Sequence, residues 1–168
     1  MSENETSLES RLLQNGCVVM YHNPFLMEEH SSELVRSGWK FQEIYLANDG
    51  SHEEFYDHVS MQLGFPDYFG RNLDALNDCL KDVVLPEGGR LALGLIRFDL
   101  LAQKDASFAH AVLDILAGME RRCLMKNERI LLLVQSSDPD LHFPPVGGTP
   151  VLWNFKEWLN AHRTKSLH

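Results

Sequence analysis

Five consecutive apolar residues, Ile130-Leu131-Leu132-Leu133-Val134, stand between Arg129 and Gln135. A strand with one wet face alternates apolar and polar residues, so a short unbroken run marks a strand covered on both faces. Covering both faces takes helices, and the rest of the chain alternates accordingly. Residues 17–21 read as a short strand. Asn23-Pro24 then forms an N-cap and first-turn pair opening a helix to about Ser37, just before Gly38. Residues 39–46 read as a second strand and Asn48-Asp49-Gly50 as a turn. Ser51 to Glu54 has the S-x-x-E form of a capping box, ahead of a helix through Phe55, Val59 and Leu63 that Gly64 stops. A loop at 66–70 leads to a helix from about Asn72 to Val84, whose stripe is Leu73, Leu76, Leu80 and Val83. Residues 90–98 read as a buried strand, and 107–124 as a helix turning Val112, Ile115, Leu116, Met119 and Cys123 inward. The fold class is therefore α/β. It is a small parallel sheet of three to four strands packed with helices, with strands near 40–46, 90–97 and 130–135 and the 18–21 strand added at an edge.

Composition bears on what such a domain can do. With 168 residues, 44 % hydrophobic and 23 % charged, the chain can bury a core without staples. No apolar run approaches the ~20 residues of a membrane helix. The first residues are polar and acidic, unlike a secretory leader, and residues 1–10 are expected to fray. Cys17, Cys79 and Cys123 lack any disulfide or zinc spacing, which points to free thiols and a cytoplasmic setting. The formal net charge is −9. That balance argues against nucleic acid as a direct partner, because a phosphate backbone is held by cations. Nine acidic and two basic residues fall between Asp49 and Glu87, a segment that carries −7 of the total. A solubilising helix face and a docking surface for a basic partner both fit that pattern.

One helix departs from what folding alone selects. Asp74, Asp78 and Asp82 recur every four residues, so they share a face, at a cost of about 0.2–0.5 kcal/mol per like-charged pair. The leucine stripe lies to one side, so these carboxylates are expected to point outward, with Asn77 and Lys81 among them. The preceding loop brings two rings, Tyr68 and Phe69. Rings beside a carboxylate row suit a cationic cleft; they also suit a core that merely uses the rings as plugs.

The stretch Gly64-Phe-Pro-Asp-Tyr-Phe-Gly-Arg-Asn-Leu-Asp-Ala-Leu-Asn-Asp-Cys-Leu-Lys-Asp82 resembles the central segment of the barstar family, intracellular inhibitors of secreted bacterial ribonucleases such as barnase. The family's pattern is Pro, an acidic residue, two aromatics, Gly, any residue, Asn, a large apolar residue, Asp-Ala-Leu, any residue and Asp-Cys-Leu. Every fixed position is matched without a gap. The resemblance spans roughly the middle three-fifths of the chain. It implies a barstar-like domain at 39–136 and leaves both ends unexplained. From their own residues, 1–38 reads as an N-terminal extension carrying an extra β-α unit, and 137–168 as a loop with a C-terminal aromatic helix packed on the domain.

In that family the helix and the loop before it plug a nuclease active site. The resemblance implies that Asp78 is the central anion in place of the scissile phosphate and that Asp74 is a second partner for the enzyme's cations. Tyr68 would stack on an active-site side chain, while Gly70 and Asn72 would offer backbone and amide contacts. Leu73, Asn77, Lys81 and Asp82 complete the expected toxin-binding set. Electrostatic steering and an aspartate hot spot are known of the family's barnase complex and are carried over as such. The inhibitor of barnase has an acidic residue where this chain has Arg71, a tryptophan at Asn77 and a small polar residue at Lys81. Near a further acidic contact, this chain has Gly118, with Glu120 on another face.

The implied partner is a cognate ribonuclease, or another toxin domain with a basic active site. The alternative is an immunity protein on the same fold that neutralises a non-nuclease toxin such as a transferase. A carboxylate-based enzyme is the weakest reading. Asp74 and Asp78 have no identifiable carboxylate element opposite, Cys79 reads as packing, and no cofactor, metal or catalytic motif occurs.

Overall fold

In a computed structural model describing residues 6–164, the apolar run at 130–134 is the middle of a five-stranded sheet. The elements are α1 (Leu8–Leu12), β1 (Val18–Tyr21), α2 (Pro24–Arg36), β2 (Lys40–Tyr45), α3 (His52–Leu63) and α4 (Leu73–Lys81). β3 (Arg90–Ile96), α5 (Phe98–Lys104), α6 (Ala106–Met125), β4 (Arg129–Gln135), β5 (Leu152–Trp153) and α7 (Asn160–Thr164) follow. Every strand pair is parallel, in the order β2-β3-β4-β1-β5. Leu132 of β4 is opposite Leu93 of β3 on one side and Val18 of β1 on the other.

Both faces of the sheet are covered, as the unbroken run requires. Ile130, Leu132 and Val134 join Leu91, Leu93 and Leu95 in a core shared with α3, α4, α5 and α6. Leu131, Leu133, Val19 and Tyr21 face the other way, onto Leu12 of α1 and Met27 and Leu34 of α2. Gly94 makes this second layer possible. A Cβ there would lie 2.6 Å from the Phe41 ring and 2.7 Å from the Met27 methyl.

The helix starts follow their local chemistry. Asn23 Oδ1 accepts the Phe25 N–H at 2.9 Å, with Pro24 in the first turn. Ser51 Oγ accepts the Glu54 N–H at 3.1 Å, but the reciprocal half of the expected capping box is absent. The buried Glu54 carboxylate instead accepts the Asn48 and Asp49 N–H groups at 3.1 and 2.8 Å, stapling the turn. Asp49 Oδ1 takes the Ser51 N–H at 2.9 Å in its place.

Several expectations are corrected. β1 is not an edge strand, because Val19 and Met20 pair outward with Leu152 and Trp153 of β5. Two residues offer no alternation to read, so β5 was hidden inside a Pro/Gly-rich tail. The strand expected through residue 98 stops at Ile96. Arg97 adopts the left-handed conformation, φ +57°, and α5 begins at once. Its guanidinium grips the buried Asp99 carboxylate through two bonds of 3.2 Å, which holds that sharp corner. Residues 8–10, expected to fray, begin α1, capped by Ser7 Oγ on the Ser10 N–H at 3.2 Å; residues 1–5 lie outside the described part.

The C-terminal helix expected within 137–168 begins only after the aromatic residues. Trp153 is in β5, turns follow, and helix resumes only at Asn160. What fastens this segment is polar. The Glu157 carboxylate, 4 % exposed, accepts the His22 N–H at 2.9 Å, the Asn23 N–H at 3.0 Å and the Asn154 Nδ2–H at 2.9 Å. Arg163 donates to the Glu157 carbonyl at 2.8 Å and to that of Pro139 at 2.7 Å. All three cysteines are free thiols. No helix among the described residues is long and apolar enough to cross a membrane.

Candidate protein-binding surface

α4 has nine residues, fewer than the ~12–15 that an isolated helix needs to be even marginally stable in water. Packing must hold it. Leu76 and Leu80 are fully buried in the main core, each worth about 1.5–3 kcal/mol, while Leu73 and Val83 pack half-buried beside them. That anchorage outweighs the few tenths of a kcal/mol lost to each like-charged pair on the opposite face. α4 therefore carries Asp74 and Asp78, with Asp82 as its C-cap residue, all exposed as expected.

The three carboxylates differ in electrostatic setting. Asp74 is in the first turn, where the helix dipole favours an anion. Asp78, mid-helix and 74 % exposed at its side chain, has Lys81 at 3.3 Å. Asp82, at the C-cap, faces the negative end of the dipole and is held there against it. An exposed pair such as Asp78–Lys81 contributes at most ~1 kcal/mol, so Lys81 can leave it readily. Asn77 is half-buried within the row.

The loop separates the two rings. Tyr68 is 87 % exposed. Phe69 turns inward, edge-on to Tyr56 and Phe65 at centroid distances of 5.7 and 5.0 Å, so only one ring is available at the surface. Phe69 N–H bonds the Pro66 carbonyl at 2.9 Å, a tight turn that presents Tyr68 at its tip. Asn72 is the N-cap of α4: its Oδ1 accepts the Ala75 N–H at 2.8 Å and its Nδ2 donates to the Gly70 carbonyl at 3.2 Å. Its amide is thus largely engaged in shaping the loop. At Gly70 a Cβ would come within 3.3 Å of Ala75 Cβ, a close approach between loop and helix.

Two features of this surface had no sequence signal. Arg71, at φ +52°, ties the loop back to α3, with an ion pair of 2.8 Å to Asp57 and a bond of 3.2 Å to the Glu53 carbonyl. Beside it, an open cleft of about 630 Å³ runs between α3 and the start of α4, lined by His52, Glu53, Tyr56, Leu73 and Asp74 among others. Fourteen residues separate Asp57 from Arg71, a spacing no single helix could have suggested. Burial raises the Cys79 thiol pKa, and Asp82 and Asp78 raise it further, so this thiol is poorly suited to act as a nucleophile. Gly118, exposed on α6, and Glu120 line one depression beside Cys17 that no α4 residue enters.

Comparison with known proteins agrees with this geometry. The family model described as Barstar (barnase inhibitor) matches residues 39–135, from the residue before β2 to the end of β4. A Bacillus subtilis (strain 168) protein named "Putative ribonuclease inhibitor YrdF" is 43 % identical over 65 residues, which cover 38 % of this chain and 67 % of that protein. With three of the five parallel strands, the short acid-faced helix and the loop before it inside the matched segment, the chain belongs to the barstar family of barnase inhibitors.

Proposed function

We propose that this protein inhibits a bacterial ribonuclease in the cytoplasm of the cell that makes it, by seating α4 and the preceding loop in the enzyme's basic active site. The observation that carries this reading is the row of three exposed carboxylates on a helix anchored firmly from behind. A site that binds RNA phosphate is cationic by necessity, and a carboxylate can replace the ligand through charge-assisted hydrogen bonds. Asp78 takes the central position, Asp74 meets the neighbouring cations, and Tyr68 stacks at the rim. The Gly70 backbone approaches closely, Asn72 keeps the loop in shape, and Asn77, Lys81 and Asp82 border the contact. The family membership and the relative named as a ribonuclease inhibitor support the same assignment.

Titrating the purified protein into RNA-cleavage assays of secreted bacterial ribonucleases, barnase among them, tests it. Stoichiometric loss of activity is expected for the cognate enzyme. Association should slow steeply as salt rises, because steering between exposed charges is screened beyond ~8–10 Å. A protein that captures a toxin without blocking RNA cleavage would overturn the ribonuclease assignment.

A further inference from the structure

Past the acidic row the surface reverses sign. The end of α4 and the end of α6 leave between them a groove of about 350 Å³ with an apolar floor that includes Leu80, Val83 and Met119. Lys81, Arg122 and Lys126 line it, with Glu128 the one acidic lining residue. Val84 and Met125 stand nearby, 90 % and 87 % exposed. Arg122 Nη2 is buried and has no hydrogen-bond partner among the described residues. A guanidinium nitrogen without an acceptor is costly to keep, and Arg122 stands between this groove and the depression beside Cys17, lining both.

We propose that this groove is a second contact for the same partner, receiving an apolar side chain flanked by a carboxylate on the surface that borders the partner's basic site. The inference rests on the α4 reading, since α4 supplies Leu80 and Lys81 to the groove and the acidic row alike. Apolar surface alone would accept many side chains; three cations against one acid select an anionic one. The interface is then bipolar. Acids on α4 meet the partner's cations, and cations beside α6 meet its acid. A partner docked in the reversed orientation would bring like charges together, so the arrangement also fixes orientation.

Phenylbutyrate, one ring and one carboxylate, tests the groove without any nuclease, with neutral phenylbutyramide as its twin. In NMR titrations of the isotope-labelled full chain, backbone amides at 80–85 and 119–128 should shift, with a Kd of about 1–10 mM. Arg122→Met should weaken that binding about tenfold, as should loss of the ligand's charge. Arg122→Met also removes the orphaned nitrogen, so its melting temperature should not fall. Lys126→Glu, at an exposed position, is the second variant and should weaken binding as well. Phenylbutyrate that moves no groove amide, or binds Arg122→Met unchanged, would overturn the proposal. Against the inhibited ribonuclease, Arg122→Glu should raise Kd about tenfold. If Asp78→Ala weakens that complex and Arg122→Glu does not, the groove is wrong and the α4 reading stands. If Arg122→Glu weakens it and Asp78→Ala does not, the groove stands and the acidic row is wrong.

Discussion

Two parts of this molecule concentrate polar side chains, and they treat them in opposite ways. Around the C-terminal segment, the polar groups are consumed internally. Glu157 accepts three N–H groups, Arg163 holds three carbonyls, and the Gln135 amide donates to the His22 carbonyl at 3.1 Å. On α4 the carboxylates face water, and among the described residues only Asp78 has a cation beside it. A buried carboxylate is tolerated only when it is hydrogen-bonded, so the Glu157 carboxylate is committed to the fold. The carboxylates of α4 remain open to solvent. Polar residues that hold a fold together are those already satisfied; those available to a partner are kept unsatisfied on a rigid support.

Substitutions can break that contrast from either side. The largest effect should be on stability, from Glu157→Ala. It strips the acceptor from three donors at once and should cost about 3 kcal/mol or more in urea denaturation, while nuclease binding by the folded fraction stays at wild-type strength. Asp78→Ala should do the reverse. Binding should weaken by more than ~2 kcal/mol in equilibrium titration, because cations on the enzyme are left unpaired, while the melting temperature barely moves. Wild-type affinity in that variant would mean that α4 is merely a solubilising face. Tyr68→Ala should cost about 1 kcal/mol or more of affinity, mostly as a faster off-rate in stopped-flow, with no loss of stability from so exposed a ring. Asp82→Ala should be the mildest. Removing an anion from the negative end of α4 should stabilise the fold by about 0.3 kcal/mol, with a small loss in on-rate.

The same contrast explains what could be read from the residues alone. α2 was legible because Asn23 and Pro24 are start signals whose chemistry is local. β4 was legible because both of its faces are buried and its sequence shows it. The α4 stripe and its carboxylates announced themselves by period. What escaped was settled by distant contacts. β5 exists because β1 offers an open edge, α1 begins where only fraying was expected, and the Glu54 carboxylate abandons its capping role for the turn at 48–49. Phe69 and Tyr68 are adjacent rings with opposite fates, and only the packing of Tyr56 and Phe65 decides which one turns inward. Arg71 was legible as a departure from its family's pattern, but not as a tether to α3.

The pairing of β1 with β4 has a consequence in time. Val18 meets Leu132, and Val19 meets Leu152, so β1 is locked in place by residues that follow it by more than a hundred positions. On the ribosome, at ~5–20 residues per second, β1 waits on the order of ten seconds for its neighbours. Parallel pairings across such sequence distance are also slow to close once the chain is free. The sheet on which α4 is mounted is completed only once β4 and β5 have been made, so nascent fragments that already contain the acidic helix should not yet display it in working form.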